Sequence, residues 1–295
     1  LADKVFKRDV VITVGTLRIA SRLLDTTREQ LGISTEEITN ILKAEFNITK
    51  TLKKEPNKCE LSIYNLKKSS RIAFQARKQQ VVVEAGYLDN TSQLFSGTLE
   101  YASSVHDGLD WITTLQASDG TKQMKSARIN TSIKGPAKVK DVLSTAAAAM
   151  GLNPGNLART VAKGALRGNL TEFTNGIVLS GKAEKVLGGI AESMGYSFSV
   201  QDGQLIFLGK NDSLGTTVPV ISPSTGMVGS PEPGEDGFIN VRTMIQPNLL
   251  PGHRIRIESA SVQGFYRIEQ TDFSGDTWGQ NWYADLECRP LGGAS

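Results

Sequence analysis

The chain of 295 residues holds two histidines, His106 and His253, and two cysteines, Cys59 and Cys288. A nucleophilic triad needs an imidazole beside a nucleophile and a carboxylate, so either histidine is a formal candidate base. His106 stands next to Asp107 in a turn-like stretch, and His253 follows Pro251 and Gly252 at the start of a strand-like one. Both read as loop residues rather than acid–base groups. Ser96, in "LFSGT", lacks the glycine two positions earlier that a nucleophile elbow requires, and strand rather than helix follows it. The cysteines are far apart, each inside a strand-like run, which gives neither a CxxC metal site nor a disulfide framework. "KGALRGN" (163–169) has glycines suited to an anion but not the Lys-Ser/Thr close of a P-loop. The carboxylate pairs Glu36/Glu37 and Asp272/Asp276 have no EF-hand ligand string around them. No catalytic, cofactor-binding or metal residue is assigned on these grounds, and no cofactor is expected. Trp278, Trp282 and Tyr283 are the remaining group with chemistry to offer: aromatic faces stack sugars or bases, while near-alternate spacing beside a turn also fits cross-strand packing. A carbohydrate- or peptidoglycan-binding module is the alternative function that these three residues support.

The elements that must carry these residues are mostly strands. Residues 9–20, "DVVITVGTLRIA", are rich in β-branched residues. Residues 34–46, "STEEITNILKAEF", offer Ser34 as a cap with Glu37 three residues on, the spacing of a capping box, and predict a helix, with β continuation into "FNITKTL" as the alternative. "KCELSIYNL", "QQVVVEAGY", "QLFSGTLEYASSVHDG" and "DWITTLQASDG" then alternate, with turn residues about every ten positions, as in a small barrel or sandwich. From 121 the texture changes. Pro136 suits a first helical position, Val139, Val142, Leu143, Ala146 and Met150 fall on one helical face, and Gly151 stops the run. A second helix is expected over 181–195, then a hairpin turning at Asp202-Gly203. Residues 211–235 are rich in Ser, Pro and Gly and read as a linker or extended arm before strands resume. The expected fold is α+β and β-rich: a first β-barrel domain at 1–120, an α/β insert domain at 121–210, and a linker arm with a second β-barrel domain at 211–295.

The balance of 33 Lys and Arg against 30 Asp and Glu leaves a net charge of +3, too little to argue a nucleic-acid partner. Lys50, Lys53, Lys54 and Lys58 cluster locally, as on a solvated face or a lysine-guarded strand edge. No run approaches the roughly 18 apolar residues of a membrane span, and the first 20 residues lack a signal-peptide pattern. No membrane insertion is expected, and cytoplasmic synthesis fits best.

Taken in order, "EPNKCELSIYNL", "VVVEAGYLDNTSQLFSGTLEYASSVHDGLDWITTLQASDG", "SGKAEKVLGGIAESMGYSFSVQDGQLIFL" and "LLPGHRIRIESASVQGFYRIEQTDFSGDTWGQNWYADLECRP" resemble the baseplate hub proteins of contractile phage tails and tail-like bacteriocins, and the upper part of type VI secretion spike proteins. The enzymatic and spike-forming appendages of some relatives have no counterpart here, so lysozyme activity is not carried over and the chain is read as a non-enzyme. The resemblance implies a homotrimer at the centre of the baseplate, each subunit giving two tube-like barrels, which adapts a sixfold tail tube to a threefold central spike. Implied partners are the tail tube protein, the spike protein and the tape measure protein, with no sequence-specific nucleic acid. Its place would be the baseplate of a virion or tail-like particle, assembled in the bacterial cytoplasm. Candidate interface residues are Leu88, Asp89, Asn90 and Leu94, then Val218, Val220 and Met227 in the arm, and Trp278 and Trp282. The two barrel stretches share pattern rather than obvious identity, so duplication is left to the structure.

Overall fold

A computed structural model describes residues 8–20, 43–75, 78–87, 90–120, 126–157, 172–246 and 248–291. The chain opens with a hairpin, β1 (Arg8–Val14) and β2 (Leu17–Ala20), turned at Gly15 with φ +59°. The helix expected over 34–46 lies outside the described residues up to position 42. Its last three residues instead open β3 (Ala44–Thr51), where Phe46 and Ile48 alternate inward with Asn47 outward. The first unit continues with β4 (Lys58–Tyr64), a short α1 (Lys68–Ala73), β5 (Gln80–Tyr87), β6 (Asn90–Asp107) and β7 (Asp110–Ser118).

The middle of the chain is α/β. It contains β8 (Arg128–Ile133), β9 (Ala137–Lys138), α2 (Val139–Ala149), β10 (Glu172–Phe173), β11 (Ile177–Lys182), α3 (Ala183–Ser193), β12 (Tyr196–Gln201) and β13 (Gln204–Gly209). Helix α2 starts at Val139, so Pro136 precedes β9 rather than opening the helix. The apolar face read from periodicity is the buried one: Val142, Leu143, Ala146 and Met150 pack with Leu187 and Met194 of the α3 region. Asp202 (φ +51°) and Gly203 (φ +78°) make the turn of the β12–β13 hairpin, the left-handed pair that such a two-residue connection demands.

The third segment adds β14 (Val220–Ile221), β15 (Met227–Pro233), β16 (Ile239–Met244), β17 (Arg254–Glu258), β18 (Gln263–Asp276) and β19 (Trp282–Pro290). Much of 211–235 is not an arm but folds back as β14, parallel to β17, and β15, antiparallel to β16. Pro231 and Pro233 misled because proline is admitted on an edge strand, where its missing N–H costs no central ladder.

Both β segments belong to one sheet running β15-β16-β19-β18-β3-β4-β7-β6-β5-β1-β2, with β17 also on β18 and β14 on β17. Among the described residues no ladder closes either β segment on itself. The hydrophobic interior accordingly divides in two: one core shared by both β segments and one inside the α/β insert.

The strand order repeats. The first segment runs β3-β4-β7-β6-β5 and the third β15-β16-β19-β18-β17, the same arrangement of five successive strands. The two repeats also share one irregularity of register. In β6 the ladder to β7 slips between Leu99 and Tyr101, opposite Ala117 and Gln116. In β18 the ladder to β19 slips between Ile268 and Gln270, opposite Cys288 and Glu287. The extra residue is a glutamate each time, Glu100 and Glu269. Val81 and Val83 of β5 and Ile255 and Ile257 of β17 hold matching places, all fully buried.

Candidate functional site

Among the described residues no group of three or more His, Cys, Asp or Glu is placed to hold a metal ion. Cys59 and Cys288 are free and buried, and burial drives both thiols far up from their ordinary value. His253 is half-buried, with Nδ1 3.1 Å from the Leu250 carbonyl oxygen, and burial lowers its pKa. His106 lies near the tip of the β6–β7 hairpin, its ring 5.1 Å from that of Trp111. Asp272 is occupied, accepting from Thr49 Oγ1 at 2.6 Å and Gln270 Nε2 at 2.8 Å. "KGALRGN" and Glu36/Glu37 lie outside the described residues.

The three clustered aromatics part company. Trp278 is exposed in the β18–β19 turn, whereas Trp282 is 2% exposed, so the two do not form one stacking platform for a sugar. Of the interface candidates, Leu94, Met227 and Trp282 are buried in this chain's own core, Trp282 by strand alternation and Leu94 as the extra residue where the β5–β6 ladder slips. They are therefore not surface residues. Asn90 is exposed, Val218 and Val220 are half-buried, and Leu88 and Asp89 lie outside the described residues.

What the geometry builds instead is a strand joint. Beyond its pairing with β17, the second half of β18 pairs with β3, from Gln270↔Thr51 to Asp276↔Glu45. Two β segments far apart in sequence are thereby welded into a single ladder. Trp282 of β19 seals it: its ring meets Phe46 of β3 edge-on at 5.5 Å and Tyr87 of β5 at 6.4 Å. A Cβ at Gly275 would come within 2.2 Å of the Phe46 ring, so glycine leaves the room that Phe46 fills. Arg8 of β1 lies over Trp282 at 5.3 Å and donates to the carbonyls of Asp276 at 2.8 Å and Gln280 at 3.1 Å. The first segment is thus rolled back onto the β18–β19 turn by a side chain rather than by a ladder.

The α/β insert is attached by polar groups. Its Asp202 pairs with Lys50 of β3 at 2.6 Å and accepts from the Ser96 backbone N–H at 2.9 Å. Asp119 accepts from the Asp202 and Asn57 backbone N–H groups, each at 2.8 Å. Its burial outweighs those bonds and pushes its pKa up to about 6. Lys50 is 1% exposed, so it is not part of a solvated lysine face; Lys54 pairs with Glu192 of α3. Arg267 of β18 donates to the carbonyls of Gly209 and Asp212, each at 2.8 Å, tying the insert to the other β segment too. These contacts hold the insert to both β segments.

Solved structures of tail proteins share this fold. The structure superposes on a 43 kDa prophage tail protein from Shewanella oneidensis with a TM-score of 0.63 at 9% identity, covering 96% of this chain and 97% of that one. A tail protein from Neisseria meningitidis gives 0.60 at 9% identity, with 96% of each chain covered. A type VI secretion component of E. coli, described as structurally similar to bacteriophage T4 tail proteins, gives 0.55 at 10% identity over 95% of this chain and 76% of that one. No curated protein matches the sequence. At such identities the likeness is one of fold. The family is shown by the sequence itself: the model of the Baseplate hub gp41 family matches residues 23–288, nearly the whole length, and the chain belongs to that family.

Proposed function

We propose that this chain is the structural hub of a contractile-tail baseplate, three copies forming a ring that adapts a sixfold tail tube to a threefold central spike. What supports this reading above all is the repeated strand order within one chain. A single copy offers two like β units, so three copies offer six, and one ring then presents near-sixfold symmetry on one side and threefold on the other. The continuous β18–β3 ladder and the ion pairs that hold the insert suit a load-bearing part. The protein has no catalytic role in this reading, and its partners are tube, spike and tape measure proteins, met in a particle assembled in the bacterial cytoplasm.

Light scattering of the purified chain, alone and with a candidate spike protein, tests this. A mass of three copies is expected in at least one of the two conditions. A single copy in both would contradict it.

A further inference from the structure

Residues 100–107 of β6 pair with β7 on one edge, and among the described residues no strand lies on the other, since β5 stops opposite Thr98. The equivalent stretch of β18, residues 269–276, has that same edge filled by β3. β15, the counterpart of β3, ends the sheet path and offers a second open edge. We infer that these two open edges meet between copies: β6 residues 100–107 of one copy run antiparallel to β15 of the next, repeating the internal β18–β3 joint three times around the ring. This rests on the trimeric reading above and adds which edges close it.

Trp111 makes the same point from side chains. It pairs with His106 as Trp282 pairs with Gly275, so the two tryptophans occupy matching places on β7 and β19. Trp282 is buried under the neighbouring segment's Phe46. Trp111 is 38% exposed and held ready, with the Arg71 guanidinium 3.6 Å above its ring. Tyr101 and Val105 on the open β6 edge and Val228 on β15 are likewise among the few large apolar side chains left exposed. Two open edges that are unlike each other, each with apolar side chains exposed on it, suit a heterologous contact between identical chains, the kind that closes into a ring. Pro231 and Pro233 remove two donors from β15, which guards it against indiscriminate strand addition and makes the joint between copies poorer in hydrogen bonds than the internal one. Where Gly275 makes room for Phe46, the matching position is His106, and the strand facing it carries the bulged run Gly229–Pro231 in place of a phenylalanine.

The internal joint sets the register. Ser274 opposite Asn47 and Asp276 opposite Glu45 translate, through the matched ladders of β3–β4 and β15–β16, into Val105 opposite Glu232 and Asp107 opposite Val228. Two double variants, Val105→Cys with Glu232→Cys and Asp107→Cys with Val228→Cys, are oxidised in the full-length protein with its spike and run on non-reducing gels. The native cysteines are both buried, so the background is silent. Covalent dimers and trimers are expected from at least one pair and from no single variant. Trp111→Ala, checked for native circular dichroism, is expected to weaken trimer formation by about tenfold or more, the usual effect of truncating an aromatic anchor. A protein of trimeric mass in which neither pair cross-links overturns the joint and leaves the ring reading standing. A protein that stays single-copy with and without spike removes the ring reading and this joint with it.

Discussion

Lys50 and Trp282 are the residues on which the architecture is most exposed to test. Asp202→Asn, which keeps a side chain tolerant of the left-handed turn, would strand the buried Lys50 ammonium without its charged partner, and breaking such a pair costs about 3–5 kcal/mol. Denaturant unfolding should show that loss, whereas Lys50→Met with Asp202→Asn, which removes both charges, should cost far less. Equal losses would mean the pair is not a buried charge interaction. Gly275→Ala sets a methyl against the Phe46 ring and should destabilise by about 1–3 kcal/mol, as overpacking does; no measurable change would mean that the ring and strand are not locked together. Little of this was legible beforehand. Lys50 was indistinguishable from Lys53, Lys54 and Lys58 as one of a cluster, because whether a lysine is solvated depends on what folds over it. Trp278 and Trp282 looked alike because the turn that separates them in exposure leaves no mark on their spacing.

At the scale of elements, the α/β insert is docked through hydrogen bonds and ion pairs around Asp119, and this makes docking depend on pH. Burial raises Asp119 from 3.8 to about 6 in the folded protein, so the neutral acid is favoured by folding. Its stabilising contribution is full below pH 3.8 and is lost as pH rises through 6, by up to about 3 kcal/mol. Asp119→Asn cannot ionise, so its stability relative to the native protein should climb between pH 4 and 7, read from thermal unfolding at each pH; parallel pH profiles would contradict this. Strands β4 to β7 and β16 to β19, and helices α2 and α3, were visible from period alone, since each buries one face. The strands inside 211–235 were not, because composition rich in Ser, Pro and Gly describes an edge strand and a linker equally well.

For the molecule as a whole, the decisive feature is that one strand order occurs twice and that the two copies are joined edge to edge through β18 and β3. The pieces of this were on view as alternating strands and as the resemblance to baseplate hubs. The repeat itself was hidden, since only scattered pairs such as Glu100 with Glu269 and Trp111 with Trp282 survive at matching places, and matching places are defined by ladders that no single sequence displays. Electron microscopy of the purified hub with its spike, averaged down the particle axis, tests the architecture most directly. Six similar β lobes around a central opening, with the insert domains marking threefold symmetry, are expected. Particles with fewer lobes, or with six that are not related in pairs by a threefold axis, would contradict it.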